Sequence, residues 1–216
     1  MRSVMNIGSA YKGQLSGTCA DFTIFSFQAI KTLTTGDGGL LAIRDTALVD
    51  KAKRLRWFGI DRSAKQGGIW ENDIVEIGYK YQMSDIAAGI GLAGLKHIHE
   101  VIRHRNDLFK VYETQLDTSR ARLVGHSKTD DYYTSAWLLT IIVDKDRIGL
   151  MKKLRENGVE SGQVHYRNDR YSIFGGRRGD LPNMDDVEDR YLVLPIHPLV
   201  RASDVERICD LINEGW

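Results

Sequence analysis

The sequence predicts a mixed α/β fold, because short strand-like runs alternate with segments of helical periodicity along its 216 residues. An apolar fraction of 42% is ordinary for a globular protein, and the length suits one large or two small domains. The chain has three prolines and no low-complexity tract, which argues against a disordered linker.

The first half of the chain contains two predicted strands and two predicted helices. The strands are Phe22–Phe27 and Gly39–Ile43, which are rich in aromatic and aliphatic residues. The helices are Ala47–Phe58, capped by Thr46, and a kinked helix that Ser84 caps and that runs through His97 to Leu116. Residues 59–82 form a polar connection between the helices, and a connection of this length is usually functional or mobile.

The pattern changes near residue 120 and predicts a small α+β domain beyond it. The predicted strands of this domain are Ala136–Val143, Val159–His165 and Tyr191–Pro195. Its predicted helices are Asp146–Asn157, which ends near Gly158, and Ser203–Asn213.

Charge and composition argue against several classes of protein. The chain has 30 basic and 29 acidic residues, so its net charge gives no sign of nucleic-acid or membrane binding. No apolar run is long enough to span a bilayer, and the first ten residues lack a signal-peptide core. Two distant cysteines favour a reducing, cytoplasmic setting. The histidines at positions 97, 99 and 104 have no cysteine or carboxylate at ligand spacing, so no metal site is predicted.

Lys31 is the residue that most strongly suggests chemistry. It lies between two predicted buried strands and is followed by the turn Thr-Thr-Gly-Asp-Gly-Gly. Burial disfavours the ammonium and lowers its pKa, and a neutral amine can attack a carbonyl to form a Schiff base. The alternative is an exposed lysine in a hairpin loop.

The segment S-F-x-A-x-K-x-L-T-T-G-D-G-G around Lys31 resembles the lysine segment of the DegT/DnrJ/StrS family of sugar aminotransferases. Residues 11–13, 78–95 and 194–208 resemble further family segments, so the resemblance covers essentially the whole chain. It implies the C-terminal part of an aspartate-aminotransferase-like enzyme, of pyridoxal-phosphate (PLP) fold type I. Residues 1–105 would be the end of the large-domain sheet and the start of the bridging helix, and residues 106–216 the small α+β domain.

The resemblance also implies roles for four residues around the cofactor. Lys31 would carry PLP covalently and move the proton during transamination, and Ser26 would bind the phosphate. Gln28 stands where relatives often have histidine, so it can bind cofactor or substrate but cannot titrate. Lys80 would reach the cofactor phosphate of a neighbouring subunit. Without the resemblance, Ser26 reads as a strand-end hydroxyl bonded to backbone, and Lys80 as a solvated lysine.

Several further residues are candidates for the substrate side. The resemblance places the V-H-Y segment, with His165 and Tyr166, near the substrate channel. The other candidates are Tyr79, Tyr81 and, less directly, Trp70, which lie in the connection of residues 59–82. The aromatic residues among them could equally be interface or core residues. Relatives often have prolines after V-H-Y, whereas Arg167 and Arg170 follow here; they could bind a diphosphate or form a solvated surface pair.

The family activity implied is transfer of an amino group from an amino acid, glutamate in the expected case, to a keto-sugar nucleotide for surface polysaccharide. Family members are homodimers, so a dimer is expected. The family's aspartate partner of the pyridine nitrogen falls on Arg2, and the nearby Gln/His position on Met5. The chain is therefore expected to be a truncated aminotransferase with little activity of its own. The alternatives are an inactive dimeric binding protein and one half of a split enzyme.

Overall fold

The computed structural model describes residues 2–4, 7–62 and 74–216, and for residues 2–4 the backbone alone. Two units follow one another along the chain, Met1–His99 and Glu100–Trp216. The sequence placed a domain boundary between residues 105 and 106, and the assignment of the units to a large and a small domain stays a prediction.

A three-stranded sheet forms the framework of the first unit. β1 (Arg2–Val4) runs parallel to β4 (Phe22–Ser26), and β4 pairs antiparallel with β5 (Gly39–Ile43). β2 (Ala10–Tyr11) and β3 (Gln14–Leu15) form a small hairpin. Both strands predicted in this region are confirmed, although Phe27 belongs to the loop rather than to the first strand.

The helix after β5 begins later than predicted. Asp45, not Thr46, is the capping residue: its Oδ1 accepts a hydrogen bond from the Ala47 N–H at 3.0 Å. A 3₁₀ turn then leads into α1 (Val49–Arg56). A carboxylate is as good a cap as a hydroxyl, and the sequence alone did not separate the two neighbours. The helix stops before Phe58 because Trp57 leaves it to form a β-bridge with Lys80.

Two helices follow in the region predicted as one kinked helix. Ser84 caps α2 (Asp85–Leu95), and its Oγ accepts from the Ala87 N–H at 3.3 Å, which confirms the predicted cap. α3 (Ile98–Gln115) begins after a two-residue break at positions 96 and 97. The predicted kink is therefore a full interruption.

The second unit is built on an antiparallel sheet with a continuous hydrophobic core. β8 (Leu139–Val143) lies between β6 (Ala121–Leu123) and β9 (Tyr191–Leu194). The remaining elements are β7 (Tyr132–Tyr133), α4 (Arg147–Glu156), α5 (Pro182–Val187) and α6 (Ala202–Asn213). The apolar faces of α3, α4 and α6 share one buried cluster with the central strand.

Two strand predictions in the second unit require correction. Val159–His165 is not a strand; within it, Gly162 alone pairs, in an isolated bridge with Val193. The strand predicted from Ala136 begins at Leu139, because Ala136 has a φ of +48° and leaves the extended conformation. The buried guanidinium of Arg105 binds the carbonyl of Trp137 at 2.8 Å and so holds this bend.

Both ends of α4 carry local stop signals. Asp146 caps α4 through its Oδ1, which accepts from the Gly149 N–H at 3.0 Å. Gly158 follows the helix with a φ of +73°, the left-handed stop that the sequence predicted. In the described part of the chain, no helix is both long and apolar enough to cross a lipid bilayer.

Candidate active site

The loop that carries Lys31 is fastened at both ends. β4 and β5 make their last pair between Ser26 and Gly39. Beyond it, the Phe27 N–H donates to the Gly38 carbonyl at 2.9 Å, and the Thr35 N–H donates to the Phe27 carbonyl at 2.9 Å. The loop is therefore a closed structure anchored on the sheet, and its residues keep a fixed position relative to the strand ends.

Lys31 lies in a turn near the start of this loop. Its N–H donates to the Gln28 carbonyl at 2.9 Å, and its side chain is half-buried. Desolvation lowers the pKa of the Lys31 ammonium below its usual value. The direction agrees with the lowered pKa predicted from the position of Lys31 between two strands. Deprotonation of Lys31 to the neutral amine, which is the nucleophilic form, therefore costs less free energy.

Ser26 and Gln28 lie beside this turn. The Ser26 Oγ accepts from the Gln28 N–H at 3.5 Å, and within the described residues its own O–H donates to no acceptor. The Gln28 Oε1 accepts from the Ile30 N–H at 3.1 Å, so this side chain caps the turn that contains Lys31. Among the described residues, neither the Ser26 O–H nor the Gln28 side-chain amide N–H groups donate to a protein acceptor.

Glycines of the loop and of α2 pack closely against Thr35 and Leu33. Thr35 is buried, and its Oγ1 donates to the Asp37 carbonyl at 2.8 Å. A Cβ on Gly38, whose φ is +155°, would lie 2.5 Å from the Thr35 Oγ1. A Cβ on Gly91 would lie 2.8 Å from the Thr35 Cγ2, and one on Gly94 3.1 Å from the Leu33 Cδ1. The glycines of α2 thus allow it to approach the loop closely.

Tyr79, Lys80 and Tyr81 form a second group, alongside α1. The Tyr79 N–H donates to the Leu55 carbonyl at 2.7 Å, which holds this segment in place. The Lys80 ammonium lies 3.8 Å from the centroid of the Trp57 ring, a close cation–π contact. The exposed rings of Tyr79 and Tyr81 stack with their centroids 5.1 Å apart. Lys80 is exposed, with its ammonium near the Trp57 ring, and its predicted contact with a cofactor phosphate stays a prediction.

His165 and Tyr166 belong to the second unit and are both exposed. The His165 ring lies 6.0 Å from that of Trp137, and the Tyr166 ring lies 4.4 Å from the Arg170 guanidinium carbon. Sequence reasoning placed Arg167 and Arg170 together as a diphosphate site or a solvated pair. The structure separates them, because the Arg167 side chain is only 1% exposed and forms an ion pair with Asp169.

The sequence did not identify this buried ion pair or its partners. Two of the partners of Arg167, Asp185 and Glu188, lie in a later segment with no motif. The candidates that remain outside the described residues are Trp70 and the side chains of Arg2 and Met5. Ser26 ends β4, and Gln28 and Lys31 lie in the loop that follows it, whereas the other described candidates belong to separate groups.

Comparison with known proteins connects this arrangement to one family. The model of the DegT/DnrJ/EryC1/StrS aminotransferase family matches residues 4–213. The GDP-perosamine synthase of Escherichia coli O157:H7 is 29% identical over 97% of this chain and 56% of its own length. The chain thus spans little more than half the length of such relatives.

Solved structures show the same correspondence. The sugar aminotransferase CalS13 from Micromonospora echinospora superposes with a TM-score of 0.85 at 29% identity, over 97% of this chain and 56% of that one. Spr1654 from Streptococcus pneumoniae, described as a sugar aminotransferase and solved in its PLP-form, gives 0.80 at 28% identity, over 96% and 56%. The predicted fold class, part of a type I PLP enzyme, is confirmed by these neighbours. The chain belongs to the DegT/DnrJ/EryC1/StrS aminotransferase family.

Proposed function

We propose that this chain carries the lysine-bearing part of a PLP-dependent site that transfers an amino group from an amino acid, glutamate in the expected case, to a keto-sugar nucleotide. The observation that supports this most directly is the position of Lys31. Lys31 is a half-buried residue whose ammonium has a pKa lowered by desolvation, and it lies in a loop anchored to the end of the β4–β5 hairpin. Such an amine suits Schiff-base chemistry better than a solvated lysine does.

The residues of the loop fit the cofactor. Lys31 would hold it covalently, and the unused Ser26 hydroxyl is a donor of the kind that a phosphate oxygen accepts. When bound, PLP supplies an electron sink that stabilises negative charge on the substrate carbon. Lys31, in its neutral form, would accept and return the proton at Nζ. Gln28 would orient the Lys31 turn through its contact with the Ile30 N–H and take no part in proton transfer.

A second candidate function is that of a dimeric, non-catalytic binding protein. It is favoured by the exposed apolar side chains of α2, including Ile86 at 80% and Leu92 at 65% exposure. A surface of this kind is typical of an interface. We propose a homodimer in either case. The same surface would also suit a split enzyme whose other half binds there, and activity of this chain alone is then expected to be low.

The test is cofactor attachment. Purified protein would be incubated with PLP, reduced with borohydride and mapped by peptide mass spectrometry. We expect modification at Lys31, a visible absorption band of the bound cofactor, and loss of both in Lys31→Ala. Lys152→Ala, which removes an exposed lysine of α4, is the matched control and should behave like the unmodified sequence. Modification scattered over surface lysines, unchanged in Lys31→Ala, would contradict the proposal.

A further inference from the structure

The segment after Tyr166 is held by one fully occupied guanidinium. A guanidinium has five N–H donors. The Arg167 Nε and Nη2 bind the two carboxylate oxygens of Asp169, each at 2.6 Å, and Nη2 also reaches the Arg178 carbonyl at 3.2 Å. Its Nη1 binds Asp185 and, at 3.1 Å, Glu188. Every donor of Arg167 has a protein acceptor, so this residue has none left for a ligand.

Two of the other three arginines of the segment, Arg177 and Arg178, are also paired. Arg177 lies 3.0 Å from both Asp185 and Glu188, and Arg178 binds Asp180 at 2.5 Å. These contacts join the loop around residues 167–180 to the region of α5. The backbone around Tyr166 is therefore anchored by the buried Arg167–Asp169 pair, and the charges of these arginines are balanced locally.

Arg170 differs from its three neighbours. It is exposed, and within the described residues its side chain has no hydrogen bond and no carboxylate partner. Its guanidinium carbon lies 4.4 Å from the centroid of the Tyr166 ring and 5.9 Å from that of Tyr171. Tyr166 and Tyr171 are themselves 46% and 48% exposed, so the aromatic surface near the cation is open to solvent. The stacking restrains the guanidinium while its donors stay open to solvent.

We propose that Arg170, beside the rings of Tyr166 and Tyr171, binds the diphosphate of a nucleotide. The identification of the ligand as a sugar nucleotide rests on the proposed function, whereas the preference for an anion rests on the geometry alone. A planar guanidinium with unused donors matches the paired oxygens of a phosphate, and restraint by the two rings reduces the entropy lost on binding. Arg170 is then a residue that determines specificity, while Arg167 positions the loop.

The experiment titrates the whole chain with each probe in the absence of PLP. Binding is measured by isothermal titration calorimetry or by changes in amide chemical shifts. The probes are GDP, inorganic diphosphate and guanosine. We expect GDP and diphosphate to bind the unmodified sequence, and Arg170→Gln to weaken both by about tenfold or more, the loss typical of a charge-assisted bidentate contact. Arg170→Lys keeps the positive charge but lacks the planar, bidentate donor geometry, so it should weaken binding less than Arg170→Gln does.

Arg155→Gln is the matched control, because Arg155 is an exposed arginine at the end of α4 in the same unit. It should leave the affinity for GDP unchanged. Guanosine should bind more weakly than GDP and should not respond to Arg170→Gln. The proposal is overturned if GDP fails to bind, or if it binds Arg170→Gln as tightly as the unmodified sequence. Because no PLP is present, neither outcome depends on cofactor attachment at Lys31.

Discussion

The carboxylate of Asp169 is stabilised in its charged form by the fold around it. It accepts two hydrogen bonds from Arg167 and one from the Arg178 N–H at 2.8 Å. The Arg167 contacts are the largest cause of an Asp169 pKa well below the usual range, and the Arg178 N–H adds to it. The pKa of Asp185 is lowered in the same way, first by Arg167 and then by Arg177. Both groups favour the folded state when they are ionised.

This linkage predicts an acid-sensitive second unit. A carboxylate with a depressed pKa in the folded state stabilises it above the unfolded pKa of about 4, and this contribution is lost as the pH falls toward the folded pKa. We expect the melting temperature to decrease between about pH 5 and pH 3. In Asp169→Asn the melting temperature should be lower at neutral pH and should change less over this interval.

The control for this prediction is Asp210→Asn, which removes an exposed carboxylate on α6. Its melting temperature should follow that of the unmodified sequence at every pH. Equal slopes for Asp169→Asn and the unmodified sequence would show that the Arg167–Asp169 pair contributes nothing to acid stability. Calorimetric scans at closely spaced pH values distinguish the two results.

At the scale of elements, the glycines of α2 differ in what they contribute to packing. It contains glycines at positions 89, 91 and 94, which weaken a helix relative to alanine. A Cβ on Gly89 would meet nothing within 4 Å, whereas one on Gly91 would lie 2.8 Å from buried Thr35. The glycine at position 91 is therefore required for the close approach to the Lys31 loop, and the one at position 89 is not.

Two substitutions in α2 should consequently have opposite effects. Gly89→Ala is expected to stabilise the helix by about 0.5–1 kcal/mol, because alanine loses less backbone entropy. Gly91→Ala gains the same propensity but must displace the Thr35 side chain, so it should loosen the loop that carries Lys31. Amide hydrogen exchange of residues 85–95 would report the stability of α2, and that of residues 28–38 would report loosening of the Lys31 loop. Equal protection in the two variants would contradict the close packing of Gly91 on Thr35.

Local signals predicted most of the elements but not the contacts that adjust them. The strand pair around Lys31, the Ser84 cap and the Gly158 stop each depend on neighbouring residues, and all are found. The predicted strand over Val159–His165 failed because pairing needs a partner along its length, and Gly162 alone has one. The role of Arg167 was missed for a similar reason: its acceptors Asp185 and Glu188 lie in a later segment.

Across the whole molecule, apolar burial is distributed very unevenly. The continuous hydrophobic cluster lies entirely in the second unit, and includes Leu139, Leu150 and Ile212 at no measurable exposure. Among the described residues of the first unit, Leu33 and Ile98 are the buried apolar side chains. Because burial of apolar surface is the dominant favourable contribution to folding, the second unit contains most of the intrinsic stability.

This distribution predicts that residues 98–216 fold alone. The fragment should unfold cooperatively in heat, within a few degrees of the main transition of the full chain, whereas residues 1–97 alone should show no cooperative transition. Within the fragment, Leu150→Asp places a charge in the core and should abolish the transition. Ile148→Asp, at an exposed position of the same helix, should leave it intact. A fragment that is unfolded while the full chain is folded would show instead that the second unit depends on the first, and the stability of the Arg170 loop would then have to be assigned to the whole chain.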